Sequence, residues 1–117
     1  MSADSRLTYL CLSSAEKGAP FITECKNAGC YVILLTRDKY ANGDWPHDSI
    51  DEVQTIPTLD DLANVIATVN QISRRRTIDR VSALDDFDVE TAAMVREHLR
   101  LSGMSYSTAR RFRDKLA

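Results

Sequence analysis

The chain has 117 residues, of which 44% are hydrophobic and 27% are charged, and its formal net charge is −2 at pH 7. This length and this mixture predict one globular domain with an ordinary core rather than a disordered chain. The small net charge argues against nucleic acid or a membrane surface as a partner. No apolar stretch of the sequence approaches the roughly 20 residues that span a bilayer.

The first half of the chain predicts a strand, a helix and a second strand. Residues 7–12 (LTYLCL) form a short apolar run typical of a strand, and residues 13–19 form a polar loop. Pro20 suits the first turn of a helix, and Gly29 suits the left-handed position after the helix ends. Residues 31–36 (YVILLT) are almost continuously apolar, which is typical of a strand covered on both faces in a parallel sheet.

The next segment predicts a third strand and the clearest helix of the chain. Residues 37–49 are irregular, and residues 52–56 form the predicted strand, which Pro57 ends. Thr58 and Asp61 form a helix-start signal, a capping-box variant with Asp in place of Glu. The helix that they open carries apolar residues on one face. These residues are Leu59, Leu62, Ala63, Ile66, Val69 and Ile72.

The last part of the chain predicts one more strand and two helices. Residues 79–84 form the fourth strand, Asp88 caps the helix after it, and that helix ends near Gly103. Residues 108–117 predict a basic terminal helix. This order of elements predicts an α/β chain with an open, Rossmann-like three-layer fold. It has a mainly parallel sheet of about four strands with helices on both faces.

In such sheets, ligands bind beyond the carboxyl ends of the strands. The loops expected to line this crevice are residues 13–19, 37–49, 85–87 and 104–107. As candidate residues of a substrate cleft we single out Ser13, Arg37, Asp85 and Asp86.

Several common functions lack their motifs in this sequence. The loop after the first strand, SSAEKGAP, contains neither the glycine-rich dinucleotide fingerprint nor a P-loop. Ser13 and Ser14 occupy the positions where a phosphorylated receiver domain needs acidic residues. His47 and His98 have no partner at metal-ligand spacing, so we interpret both as surface or packing residues.

Asp85, Asp86 and Asp88 follow the predicted fourth strand and allow two interpretations. They form either a carboxylate cluster that binds a metal or an amine, or a helix cap with two loop carboxylates near the positive end of the helix. We favour the cap for Asp88 and leave both interpretations open for Asp85 and Asp86.

The cysteines and the N-terminus indicate the compartment. Cys11, Cys25 and Cys30 are odd in number and each lies in an apolar setting. Because their spacing lacks the close pairs of a zinc site, we expect buried free thiols rather than a disulfide or a metal site. The N-terminus lacks the layout of a signal peptide. These features predict a cytoplasmic protein.

Several segments resemble bacterial ATP-grasp ligases, which join a carboxylate to an amine through an acyl-phosphate. Residues 83–93 (ALDDFDVETAA), 96–104 (REHLRLSGM) and 108–117 (TARRFRDKLA) resemble the entry to the ATP-grasp domain of this family. Residues 20–36 (PFITECKNAGCYVILLT) and 45–52 (WPHDSIDE) resemble the first βαβ unit of the family and the loop after it.

The resemblance implies two regions and one phosphate-binding residue. Residues 1–106 are expected to form the domain that precedes the ATP-grasp domain, and residues 107–117 to begin the connection to it. Lys115, in the pair Asp114-Lys115, is expected to contact ATP phosphates, which suits a compact ammonium on a long side chain. Without the resemblance, the basic residues around Lys115 would be interpreted as a solvated helix face.

The function expected from the resemblance is that of the N-terminal domain of an ATP-dependent carboxylate–amine ligase. Its expected partners are a C-terminal ATP-grasp domain, a small carboxylate and an amine, and ATP and Mg²⁺ are the cofactors of the complete ligase. Because the glycine-rich lysine segment and the magnesium ligands would follow Ala117, we expect this chain alone to be catalytically silent and to bind neither cofactor tightly. The alternative is a free-standing, non-enzymatic α/β module that binds a protein partner or forms a homodimer.

Overall fold

Four parallel strands form one sheet in the computed structural model of this chain, which describes residues 6–101. The strands are β1 (Thr8–Ser13), β2 (Tyr31–Arg37), β3 (Glu52–Ile56) and β4 (Arg80–Ala83), and their order in the sheet is β3-β2-β1-β4. The helices are α1 (Ala19–Asn27), α2 (Leu62–Arg75) and α3 (Val89–Leu99). The predicted parallel sheet is therefore confirmed.

The two faces of the sheet are covered by different helices. Because neighbouring side chains of a strand point to opposite faces, the apolar runs of β1 and β2 supply both layers of the core. Leu10 and Ile33 lie in the core layer that includes residues of α2 and α3, whereas Cys11 and Leu34 lie in the layer that includes residues of α1. The three-layer arrangement is thus the predicted one.

The connection from β2 to β3 covers the sheet without a regular helix. It contains two short 3₁₀ turns, Asp38–Tyr40 and His47–Ser49. Trp45, between them, is 4% exposed and packs in the core layer of α1. Its indole nitrogen donates to the carbonyl oxygen of Tyr40 at 2.9 Å. A buried tryptophan thereby fixes a loop whose sequence is irregular.

Helix α2 begins three residues later than the sequence suggested. Asp61 is its N-cap, and the carboxylate accepts a hydrogen bond from the backbone N–H of Asn64 at 3.1 Å. The hydroxyl of Thr58 instead accepts from the backbone N–H of Asp60, inside a turn. Leu59 is buried although it precedes the helix. Because its apolar side chain has the spacing of a helical core position, the sequence pattern wrongly included it in α2.

The predicted apolar face of α2 was partly wrong, because Leu62 and Ala63 are exposed. The buried residues of α2 are Val65, Thr68, Val69 and Ile72.

Helix α3 ends at Leu99 rather than near Gly103. Arg100 has a φ of 60°, a left-handed conformation, and the backbone N–H of Leu101 bonds to the carbonyl oxygen of Arg96 at 2.8 Å. This geometry closes the helix without a glycine. Gly103 and the predicted terminal helix at residues 108–117 lie outside the described residues. Within residues 6–101, no helix is both long enough and apolar enough to cross a membrane.

Candidate functional site

A cleft of about 370 Å³ opens at the edge of the sheet where the carboxyl ends of the strands meet. Every strand contributes to it, either with its last residue or with the loop after it. The lining residues are Ser14, Ala15, Arg37, Tyr40, Thr58, Asp60 and Phe87. Because β1 has β2 on one side and β4 on the other, the chain reverses its direction across the sheet at β1. This is where open α/β sheets bind their ligands.

Arg37 is the cationic side chain that lines the cleft. It is the last residue of β2 and is half-buried, and its guanidinium carbon lies 5.8 Å from the centroid of the Tyr40 ring. The Nε atom is buried and has no hydrogen-bond partner. Within residues 6–101, the guanidinium group of Arg37 forms no ion pair either.

The wall of the cleft after β1 is held by a buried carboxylate from the segment that follows the neighbouring strand β4. Asp88, 2% exposed, accepts hydrogen bonds from the backbone N–H and the hydroxyl of Ser14 at 2.7 and 2.6 Å. Burial raises the pKa of Asp88, and these two hydrogen bonds oppose the increase. Asp88 therefore precedes α3 as predicted, but its carboxylate caps the β1–α1 loop instead of its own helix.

Asp85 is the second buried carboxylate at the end of β4, and it is 5% exposed. One of its oxygens accepts from the backbone N–H of Phe87 at 2.9 Å. The other makes no hydrogen bond and lies 3.5 Å from the ammonium nitrogen of Lys17. Asp85 thus joins the β1–α1 loop to the loop after β4, like Asp88. The neighbouring Asp86 is exposed and is not among the lining residues.

The structure separates the four candidate cleft residues. Arg37 lines the cleft, whereas Ser13 is fully buried and its carbonyl oxygen accepts a hydrogen bond from Thr36 at 2.7 Å. Asp85 is buried and Asp86 is exposed. A substrate role for these residues stays a prediction, and Lys115 lies outside the described residues.

Arg37 was chosen from the sequence as a candidate cleft residue, and the other six lining residues were not. Four of these six lie in loops that were expected to line the crevice, namely Ser14, Ala15, Tyr40 and Phe87. Thr58 and Asp60 lie in the loop after β3, which was interpreted as the start of a helix. Ligands bind beyond the carboxyl ends of the strands, and this rule applies to β3 as well. The rule could therefore have identified the loop after β3 as part of the cleft.

The cleft is a binding surface that carries one positively charged and one negatively charged side chain, Arg37 and Asp60. It presents the donors of Arg37, the hydroxyl of Thr58 and the carboxylate of Asp60. His47 and His98, both exposed, contact the carbonyl oxygen of Gly43 and the side chain of Asn70, away from these lining residues. No group of three His, Cys, Asp or Glu side chains in the described part of the chain is arranged to hold a metal ion.

Comparisons with known proteins give one family and one fold. Residues 22–103 match the model of the family described as the ATP-grasp N-terminal domain. Among solved structures, the L-amino acid ligase from Bacillus licheniformis is similar, with a TM-score of 0.72 and 22% sequence identity. The alignment covers 91% of this chain but 27% of that one, so the likeness concerns the fold of one part of a longer protein. A comparison with curated protein sequences finds no match.

Proposed function

Because this chain belongs to the ATP-grasp N-terminal domain family, we propose that it forms one wall of the substrate and nucleotide cleft in an ATP-dependent carboxylate–amine ligase. The observation that carries this proposal is the cleft at the carboxyl edge of the sheet. Its lining residues after β2, β3 and β4 all fall within the matched segment, residues 22–103. The open side of the cleft is where a second domain would close over bound substrates.

In this proposal the substrates are a small carboxylate and an amine. The reaction class requires the carboxylate oxygen to attack the γ-phosphorus of ATP, which releases ADP and leaves an acyl-phosphate. The amine then displaces phosphate from the acyl carbon. The presence of both Arg37 and Asp60 in the cleft supports small charged substrates, and the L-amino acid ligase with the same fold supports amino acids among them.

ATP and Mg²⁺ are the cofactors that this reaction needs, and the described residues do not fit the metal, because no suitable group of ligands is arranged among them. Phosphoryl transfer depends on positioning and charge neutralisation around the phosphates. We therefore assign the magnesium ligands and a glycine-rich lysine segment to a C-terminal ATP-grasp domain. Lys115, beyond the described residues, is the residue of this chain that we assign to the phosphates. Residues 1–117 alone are then catalytically silent.

The location that we propose is the cytoplasm, on the basis of the thiols. Cys11, Cys25 and Cys30 are all buried and free. Free thiols in these numbers are typical of proteins from a reducing compartment.

The proposal is tested with the full-length protein that contains this chain. ADP release should require both a carboxylate and an amine when pairs of small acids and amines are screened, and residues 1–117 alone should release none. If no pair supports ADP release by the full-length protein, the ligase proposal is wrong. A reading frame that stops after Ala117 would favour the alternative, a module that binds a protein or itself, and sedimentation would then measure its self-association.

A further inference from the structure

Arg37 differs from the other arginines among the described residues in its combination of burial and missing partners. Arg75, Arg76 and Arg96 bond to Glu52, Thr8 and the carbonyl oxygen of Val81. Arg74 and Arg100 form no ion pair within residues 6–101 either, but both are exposed, so water solvates their guanidinium groups. Arg37 is half-buried, with an Nε atom that no protein group accepts from. The Nε atom of Arg96 is also buried without an acceptor, but the guanidinium group of Arg96 donates to Val81 and Arg96 does not line the cleft. Arg37 combines a buried Nε that lacks an acceptor with a position in the cleft lining, and a buried donor without an acceptor lowers stability. This combination points to an acceptor that enters the cleft from outside the chain.

The side chain of Arg37 extends from a rigid part of the sheet. Its backbone lies in β2 and pairs in register with Ile56 of β3. Its side chain lies beside the ring of Tyr40, at 5.8 Å from the centroid, and the carbonyl oxygen of Tyr40 is bonded to buried Trp45. The backbone that carries Arg37 is therefore rigid, and the contact with the Tyr40 ring restricts its side chain, which limits the conformational entropy lost when a ligand binds.

The chemistry around Arg37 selects the kind of ligand. A guanidinium offers five N–H donors and no acceptor, and its planar edge matches two oxygens of one oxyanion. The Thr58 hydroxyl, in the same cleft, accepts from the backbone N–H of Asp60, which leaves its hydrogen free to donate. Asp60 also lines the cleft, but no ion pair joins it to Arg37 within the described residues. The acceptor that Arg37 lacks is therefore not supplied by the cleft itself.

We propose that Arg37 anchors an oxyanion in the cleft, through donors of its guanidinium edge and assisted by the hydroxyl of Thr58. The inference rests on the proposed function for the source of the oxyanion, which is then either the carboxylate of a substrate or a phosphate of the nucleotide. The binding of an oxyanion by Arg37 itself rests on the geometry of the cleft.

The test is a titration of the isotope-labelled chain followed by nuclear magnetic resonance at constant ionic strength. The reporters are the Nε–Hε resonance of Arg37 and the backbone amides of Tyr40, Thr58 and Asp60. The probes are acetate, L-alanine, inorganic phosphate and ADP, each added separately. We expect saturable shifts with a dissociation constant of about 1–20 mM for the preferred class, as befits a small anion with few contacts.

Three variants make this titration decisive. Arg37→Gln should weaken binding at least about tenfold, because it removes the charge and the paired donors. Arg37→Lys keeps the charge and should weaken binding less, which separates the loss of the anion site from a folding defect. Arg74→Gln removes an exposed arginine at the end of α2, outside the cleft lining, and should leave the shifts unchanged.

Each result of the titration bears on the inference. Preference for acetate and L-alanine assigns the site to a substrate carboxylate, whereas preference for phosphate and ADP assigns it to the nucleotide. The inference is overturned if no probe gives saturable shifts, or if Arg37→Gln binds as the unaltered chain does. A failed ligase screen together with Arg37-dependent anion binding would reject the proposed function and leave this inference standing.

Discussion

Individual side chains beneath the cleft hold its walls together. The carboxylate of Asp88 bonds twice to Ser14, and the ammonium of Lys17 faces Asp85. Both contacts tie the β1–α1 loop to the segment after β4. These two buried acids therefore link the β1–α1 loop directly to the neighbouring strand end.

Asp88 gives the first prediction at this scale. Asp88→Ala removes the acceptor of both Ser14 hydrogen bonds and should lower the free energy of unfolding by about 1–3 kcal/mol. Asp88→Asn keeps one carbonyl acceptor and the shape of the side chain, so it should lose much less. Urea unfolding of both variants measures the difference. Equal stability of the two variants would contradict this role.

The pH dependence of Asp88 follows from the direction of its pKa. Burial raises the pKa above the ordinary value of 3.8, so the protonated acid is favoured in the folded state. Its stabilising contribution is present below the ordinary pKa and is lost as the pH rises through the higher, folded value. The stability of the unaltered chain relative to Asp88→Asn should therefore fall as the pH rises above 3.8, which urea unfolding at a series of pH values measures.

Gly18 gives a second prediction, since it has a φ of +93° and lies against Leu84. A Cβ atom at Gly18 would come within 2.6 Å of Leu84. Gly18→Ala should thus lower the free energy of unfolding by about 2–4 kcal/mol, from backbone strain and overpacking together. Gly29, with a φ of +86° and no atom within 4 Å of its Cβ position, is the matched control. Gly29→Ala should cost only the strain, about 1 kcal/mol, and equal losses at both glycines would refute the role of Leu84.

At the scale of elements, charged side chains connect the amino ends of two strands to the end of α2. Glu52 of β3 accepts two hydrogen bonds from Arg75, at the end of α2, at 2.7 and 2.5 Å. The hydroxyl of Tyr31, at the start of β2, donates to the same carboxylate at 2.8 Å. The guanidinium of Arg76 lies 3.5 Å from the centroid of the Tyr31 ring. These contacts fix the end of α2 against two strands, so this edge serves stability.

Glu52 makes that assignment testable. The hydrogen bonds from Arg75 lower the pKa of Glu52 from 4.5 to about 2, against the opposing effect of burial and with help from Tyr31. A lowered acid pKa stabilises the fold above its ordinary value, and this stability is lost as the pH falls from about 4.5 toward 2. Glu52→Gln should therefore reduce stability by about 0.5–1 kcal/mol at pH 7, since Arg75 is half exposed. The difference should shrink at pH 3 in urea unfolding.

The control for Glu52 is Glu24→Gln, which alters an exposed carboxylate of α1. It should leave the free energy of unfolding nearly unchanged at both pH values. A loss that is the same at pH 7 and pH 3 for Glu52→Gln would show that the ion pair does not carry the effect.

The spacing of apolar residues predicted a helix or strand well where burial alone determined that spacing. The continuous apolar run of β2 could be recognised because the strand is buried on both faces. The start of α2 could not, because Leu59 is buried by tertiary packing just before the helix and imitates a helical position. The end of α3 was also misplaced, because Arg100 adopts the left-handed conformation that a sequence argument reserves for glycine.

At the scale of the whole molecule, the edge that carries the site was predictable and its side chains were predictable only in part. Arg37 could be chosen because it directly follows the continuous apolar run of residues 31–36. Asp60 was not chosen as a site residue because its loop contains a helix-start signal, which led us to interpret the loop as the start of α2. The separate environments of buried Asp85 and exposed Asp86 depend on how the β1–α1 loop folds over the end of β4, which no local pattern encodes.

The central claim, that this chain belongs to a ligase working through an acyl-phosphate, is tested most directly by following the carboxylate oxygen. The full-length protein is supplied with ATP, an amine and a carboxylate labelled with heavy oxygen, chosen from a pair that supports ADP release. We predict that one labelled oxygen appears in the released phosphate, because the carboxylate attacks the γ-phosphorus and its oxygen leaves with the phosphate. Phosphate that carries no label while the amide product forms would contradict the account.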